Sequence, residues 1–207
     1  MSKYLIALFG FLLGGAQLWA ADVPPEAAKP LPEICMGKED APVTMIEYTS
    51  MTCPHCADFH LKVMPEIQKA YVDGGELKVI HRDYPGDGLS LKATQLALCG
   101  GPQLYPKLVT VFFQNQGRWI SAKNPEDELK KIACESGLTK QQATTCLQNT
   151  DLMDQIIQVR QVGQKTYNIT ATPTLIINGK IIPQALTFDE FKKKMDPLLV
   201  KKAECQK

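Results

Sequence analysis

The residues of this chain best suited to do chemistry lie in "YTSMTCPHCADFH", Tyr48 to His60. Cys53 and Cys56 are separated by two residues, Pro54 and His55. Such a pair can be a structural bridge, half of a zinc site, or a redox centre that exchanges electrons with other thiols. A zinc site needs a second Cys/His pair, and no second C-x-x-C exists; Cys35, Cys99, Cys134, Cys146 and Cys205 are scattered. A bridge this tight at an exposed helix start is a poor structural staple. The redox reading is the strongest of the three, and no metal or cofactor is expected with it.

The elements around the pair support that reading. "APVTMIEYTS", Ala41 to Ser50, is β-branched and aromatic and predicts a buried strand. From Pro54 to about Asp73 the pattern becomes helical, with Phe59, Val63, Ile67 and Tyr71 on one stripe. Pro65 should kink this helix and Gly74-Gly75 should end it. "ELKVIHRDYP", Glu76 to Pro85, predicts the next strand, so the segment is a strand–helix–strand unit. Cys53 falls where strand gives way to helix. There the unpaired N–H groups and the positive end of the helix dipole favour an anion, so a thiolate is stabilised and becomes a good leaving group. Pro54 suits the first helical position. Cys56 is one turn further on, on the same face. His55 can add a donor or a positive charge to the Cys53 thiolate.

The middle of the chain predicts helices near 90–99, 102–114, 125–136, 140–147 and 152–167. "PTLIING" then returns to strand, Asn178-Gly179 predicts a hairpin turn, and "KIIPQA" predicts the returning strand. "TFDEFKKKMDPLL" predicts a last helix, with Thr187 and Glu190 as a capping box. His60 and His81 are expected to be plain surface or strand residues.

The 207 residues are 44% hydrophobic and 22% charged, a globular composition large enough to bury a core. Lys3 followed by "YLIALFGFLLGGA" and small residues describes a secretory leader over residues 1–20, cut after Ala20 or Ala21. Its removal takes away one lysine and no acid, leaving 22 basic and 22 acidic residues. A net charge of zero argues against nucleic acid as the partner. Export places the cysteines in an oxidising compartment, the periplasm. "ADVPPEAAKPLPE" predicts an extended proline-rich tether over 21–40.

Cys53-Pro54-His55-Cys56 after a strand, with Thr172-Pro173 before a later hairpin, resembles the thioredoxin superfamily, and within it the DsbA-type oxidases, most closely the alphaproteobacterial group. The resemblance covers roughly residues 37–200. It implies an α/β thioredoxin fold over 41–86 and 166–205, interrupted by an all-helical insertion over 87–165. It implies that Pro173 is the cis-proline facing the active site, that the Thr172 backbone pairs with substrate, and that Glu47 is the buried acid relaying protons to Cys56. The five further cysteines depart from the best-known form of the family; Cys99, Cys134 and Cys146 all lie in the helical block and predict a structural disulfide there, for which Cys99–Cys146 is the first choice and Cys134–Cys146 the second. Cys35 and Cys205 are left free or paired with each other.

The activity implied is donation of the Cys53–Cys56 disulfide to exported proteins with cysteine thiols, with reoxidation by a DsbB-like membrane quinone reductase and a monomeric protein. Thr172 departs from the valine of the enterobacterial form and also occurs in isomerases. An isomerase or reductase kept reduced by a membrane partner is therefore the alternative, with a non-enzymatic thioredoxin-fold chaperone behind it. The short tether shows no heptads to build a stalk, which favours the oxidase.

Overall fold

The computed structural model describes residues 31–205; the expected leader and the first half of the proline-rich tether, residues 21–30, lie outside them. The expected strand–helix–strand unit is present. β2 (Val43–Thr49) leads into a long helical stretch, α1, over residues 54–72, and the chain returns in β3 (Leu77–Asp83), parallel to β2. α1 is irregular. α-Helical pieces, Pro54–Asp58 and Met64–Ile67, alternate with π-helical ones, Phe59–Val63 and Gln68–Val72. Pro65 has no N–H to give to the preceding turn, and the Met64 N–H bonds back to Phe59 O instead.

Six helices separate β3 from β4: α2 (Gly88–Cys99), α3 (Gly101–Gln114), α4 (Gln116–Ile120), α5 (Pro125–Glu135), α6 (Lys140–Leu147) and α7 (Thr150–Tyr167). α4 has no counterpart in the sequence reading; at five residues it is too short for a periodic signal. β4 (Thr174–Ile177) and β5 (Lys180–Ile182) form the predicted hairpin, with Asn178 and Gly179 both at positive φ. α8 (Phe188–Cys205) follows, opened by the Thr187–Glu190 capping box.

The sheet has the order β1-β3-β2-β4-β5. Its first member corrects the tether. Ile34–Met36, inside the segment expected to be an extended linker up to residue 40, is an edge strand, β1, antiparallel to β3. Three residues among prolines carry too little pattern to predict a strand; pairing with the open edge of β3 decides it.

One sheet face packs on α1 and α8. Val43, Met45, Leu77, Val79, Leu175 and Ile177 meet Phe59, Ile67, Phe191 and Met195 there. The other face packs on α7, where Gly163 lies against the Tyr48 ring; a Cβ at that glycine would fall 2.5 Å from Tyr48 Cε1. The helical block has its own core, around Leu108, Phe112, Trp119 and Leu129. A disulfide joins Cys99, at the end of α2, to Cys146 of α6, and Cys134 is a free thiol. The Cys205 side chain lies outside the described residues, while Cys35 is an exposed thiol on β1.

Candidate active site

Cys53 is the N-cap of α1, in extended conformation, and Pro54 occupies the first helical turn. Cys56, one turn in, is fully buried, whereas Cys53 is half-buried and Pro54 and His55 are exposed. The two thiols are pushed in opposite directions. Cys53 is lowered from 9.0 to about 5. The largest cause is a hydrogen bond from the Cys56 thiol; the Thr172 hydroxyl and the backbone N–H groups of Cys56 and His55 add to it, against a cost of burial. Cys56 is raised, first by burial and then by its bond to Cys53. The Ser50 N–H, 3.5 Å from its sulfur, and the neighbouring Thr49 hydroxyl act the other way and do not offset that. The expected contribution of His55 reaches Cys53 through its backbone rather than through its exposed imidazole.

Thr172-Pro173 is a cis peptide bond directly opposite the pair. The Cys53 Sγ lies 3.2 Å from Thr172 O, to which the thiol donates. A thiolate loses that bond, so the carbonyl opposes ionisation while the hydroxyl of the same residue favours it. The lowered value of Cys53 records that the donors prevail.

Beneath the pair, the sheet changes character along its strands. On the face toward α1, β2 and β3 pair Val43 with Leu77 and Met45 with Val79, then Glu47 with His81 and Thr49 with Asp83. The first two rows are apolar and the last two polar, and the polar rows stand at the strand ends that lead to Cys53. Glu47 is 1% exposed. His81, expected to be a plain strand residue, is its partner: Nδ1 lies 2.9 Å from a Glu47 carboxylate oxygen that no in-line hydrogen bond reaches, so charge holds the contact. Burial alone would lower the His81 imidazole; the adjoining Glu47 carboxylate, with Asp83 adding, outweighs it and raises the pKa.

Asp83 is raised to about 6 by burial, and accepts bonds from Tyr105 Oη at 3.0 Å and Thr94 Oγ1 at 3.1 Å. His60, also expected at the surface, packs on Phe113 and bonds Thr110 Oγ1 at 2.9 Å, and its burial lowers it. A cavity of about 610 Å³ between α1 and α3 is lined by His60, His81 and Tyr105, which gives the buried polar row a route toward water. Period-two alternation in "ELKVIHRDYP" puts His81 and Asp83 on the same face as Leu77 and Val79, so the sequence contained the signal. What it lacked was the β2–β3 register that sets His81 beside Glu47.

The structure thus brings Cys53, Cys56, Thr172 and Pro173 together at the sheet's polar end, with Glu47 below them. Among the described residues no group of three or more His, Cys, Asp or Glu side chains could hold a metal ion, and no helix is long and apolar enough to cross a membrane.

Comparison with known proteins gives a consistent picture. The crystal structure of Wolbachia pipientis alpha-DsbA1 is 28% identical and superposes with a TM-score of 0.78, covering 86% of this chain and 96% of that one. That of oxidised BdbD from Bacillus subtilis is 25% identical at a TM-score of 0.71, covering 81% and 92%. The disulfide bond formation protein D of Bacillus subtilis is 28% identical over 170 residues, 78% of this chain and 74% of that protein. A putative protein-disulfide oxidoreductase of Rickettsia bellii is 25% identical over 148 residues; 71% of this chain matches, but only 57% of the relative's length. The thioredoxin family model matches residues 30–197, most of the chain and all of the site just described, and the chain therefore belongs to the thioredoxin family, with a helical block inserted in the fold.

Proposed function

We propose that this chain is a thiol:disulfide oxidoreductase that donates the Cys53–Cys56 disulfide to exported proteins during their folding in the periplasm. The opposite displacement of the two thiols carries the reading: a helix-tip Cys53 held as a thiolate beside a buried Cys56 held as a thiol. A substrate thiolate attacks Cys53 Sγ, the Cys53–Cys56 bond breaks, and the electron pair goes to Cys56, which takes up a proton. Glu47, buried on the same sheet face with His81 beside it, is the proton carrier of this reading. A second substrate thiolate then attacks the substrate sulfur of the mixed disulfide. Cys53 leaves as its stabilised thiolate. The substrate has lost two electrons and the pair has gained them. The edge at Thr172, opposite Cys53, offers its backbone to an extended substrate segment. A DsbB-like membrane quinone reductase would return the pair to the disulfide.

The names of the relatives agree with this activity: protein-disulfide oxidoreductases and disulfide bond formation proteins. Thr172 supports a second reading, an isomerase or reductase held reduced, because its hydroxyl and carbonyl act on the Cys53 thiolate in opposite senses. The equilibrium of the Cys53–Cys56 pair with glutathione tests the proposal. An oxidase gives a disulfide that glutathione reduces readily; a pair that stays oxidised against excess reduced glutathione refutes it. Sedimentation and refolding of a scrambled disulfide protein separate the two readings. A monomer with weak unscrambling activity is expected, and a stable oligomer with strong unscrambling favours the isomerase.

A further inference from the structure

The loop that carries Cys53 is held by the helical block as much as by β2. On one side Thr52 Oγ1 donates to Asp87 at 2.6 Å, and Ser90 Oγ accepts from Met51 N at 3.1 Å and meets Ser50 Oγ at 2.8 Å. On the other side stands Gln116, the first residue of α4. Its Nε2 donates to Met51 O at 2.9 Å and to Cys53 O at 3.0 Å. Both partners are carbonyl oxygens, so only the amide nitrogen can face them, which settles the orientation of the carboxamide.

The Cys53 carbonyl also accepts from Ala57 N at 3.1 Å, the first main-chain bond of α1. With two donors on that oxygen and one on Met51 O, rotation about the Cys53 backbone is restrained near its observed ψ of 118°. That angle determines whether Sγ faces the N–H groups of His55 and Cys56. Gln116 touches neither sulfur. Half-buried and in a five-residue helix, it fills no core position that packing alone requires.

We propose that Gln116 is a positioning residue of the redox centre, through which the helical block fixes the Cys53 backbone so that its sulfur faces the start of α1. The proposal rests on the assignment of Cys53 as the exchanging thiol. Loss of the carboxamide lets the loop relax, the N–H groups no longer converge on Sγ, and the thiolate is stabilised less.

The test is Gln116→Met, which keeps the volume and removes both donors. Thiolate ultraviolet absorbance of the full reduced protein is followed against pH, together with the glutathione equilibrium and the thermal midpoints of both redox forms. The Cys53 ionisation midpoint should move up by roughly half to one pH unit, and the pair should become about three- to tenfold less oxidising. Gly163→Ala serves as the control, since it destabilises the fold from the far face of the sheet without touching the loop. It should lower both thermal midpoints and leave the ionisation midpoint in place. If Gln116→Met behaves like Gly163→Ala, the residue is merely structural and the proposal is overturned. Equal midpoints and equal poise for Gln116→Met and the unaltered protein overturn it as well. If the low-pH absorbance step survives Cys53→Ala, the thiol assignment itself has failed, an outcome that the other two leave untouched.

Discussion

The displaced ionisation of Cys53 makes the stability of the reduced protein depend on pH in a way the oxidised protein cannot share. In the folded state the thiol is lowered from 9.0 to about 5. A depressed folded value stabilises fully above the unfolded value, fades as pH falls, and vanishes below the folded one. The window therefore runs from about pH 9 down to about pH 5. From pH 5 to pH 7 the unscreened gain is about 2.3 kcal/mol. Cys53 is only half-buried, so solvent screening reduces this to about 1–2 kcal/mol. Asp83, His81 and the other titrating side chains are present in both redox forms and largely cancel in the difference; Cys56 stays protonated throughout. The assay is urea or thermal unfolding of the reduced and the oxidised protein at both pH values. The reduced form should gain on the oxidised form by about 3–6 °C between pH 5 and pH 7. Thr172→Val, which removes a hydroxyl donor to the thiolate, should shrink that gain without unfolding the domain. A gap that stays constant or narrows as pH rises would refute the thiolate argument.

Alkylation of the reduced protein near pH 6 should label Cys53 first, ahead of the exposed Cys35, whose thiol is raised by burial of its sulfur, and far ahead of buried Cys56; peptide mapping reads the order, and early labelling of Cys56 reverses the mechanism. Gly163→Ala should cost about 1–3 kcal/mol in urea unfolding despite the better helix propensity of alanine, because the new methyl group meets the Tyr48 ring; an unchanged midpoint would show that α7 can shift freely. In Glu47→Gln the His81 imidazole keeps its burial and loses its counter-charge, so its NMR titration should fall from above 6.5 to below it. The stabilisation that the native His81 gives is full below pH 6.5 and is lost as pH rises through its raised folded value, so the variant should also flatten that part of the stability profile.

Elements with a long, uniform pattern were legible in the sequence. The stripe Phe59, Val63, Ile67 and Tyr71 lies on the sheet-facing side of α1, three of the four buried and Val63 partly. The turn at Asn178-Gly179 needs positive φ at both positions, which those two residue types supply. Cys53 as the helix N-cap followed from Pro54 and the strand before it. β1 and α4 were not legible, because three and five residues carry no periodicity and their existence depends on tertiary partners: the free edge of β3 for one, the main chain around Cys53 for the other. His81 shows the same limit inside the site. Its face was readable from alternation, but which β2 residue it meets depends on the parallel register; a shift toward the start of β3 would place Ile80 or Val79 beside Glu47 and leave that carboxylate without a counter-charge.

That register also explains why a costly polar row persists in an otherwise apolar sheet. The arrangement that makes Cys53 a good leaving group makes Cys56 a poor acid: each donor that gathers at the helix start serves the outer sulfur, and burial raises the inner one. A pair so divided breaks its disulfide readily only if the inner sulfur can be given a proton when the bond opens and relieved of it when the bond reforms. Neither step can draw directly on water at a fully buried position. Under the proposed function the Glu47–His81 pair, 2.9 Å apart and one row below Thr49 on the same sheet face, supplies and collects that proton, with the cavity lined by His81 beside it. Burying that ion pair is weakly favourable at best for stability. The proton traffic proposed for Cys56 supplies a reason for the pair that stability does not.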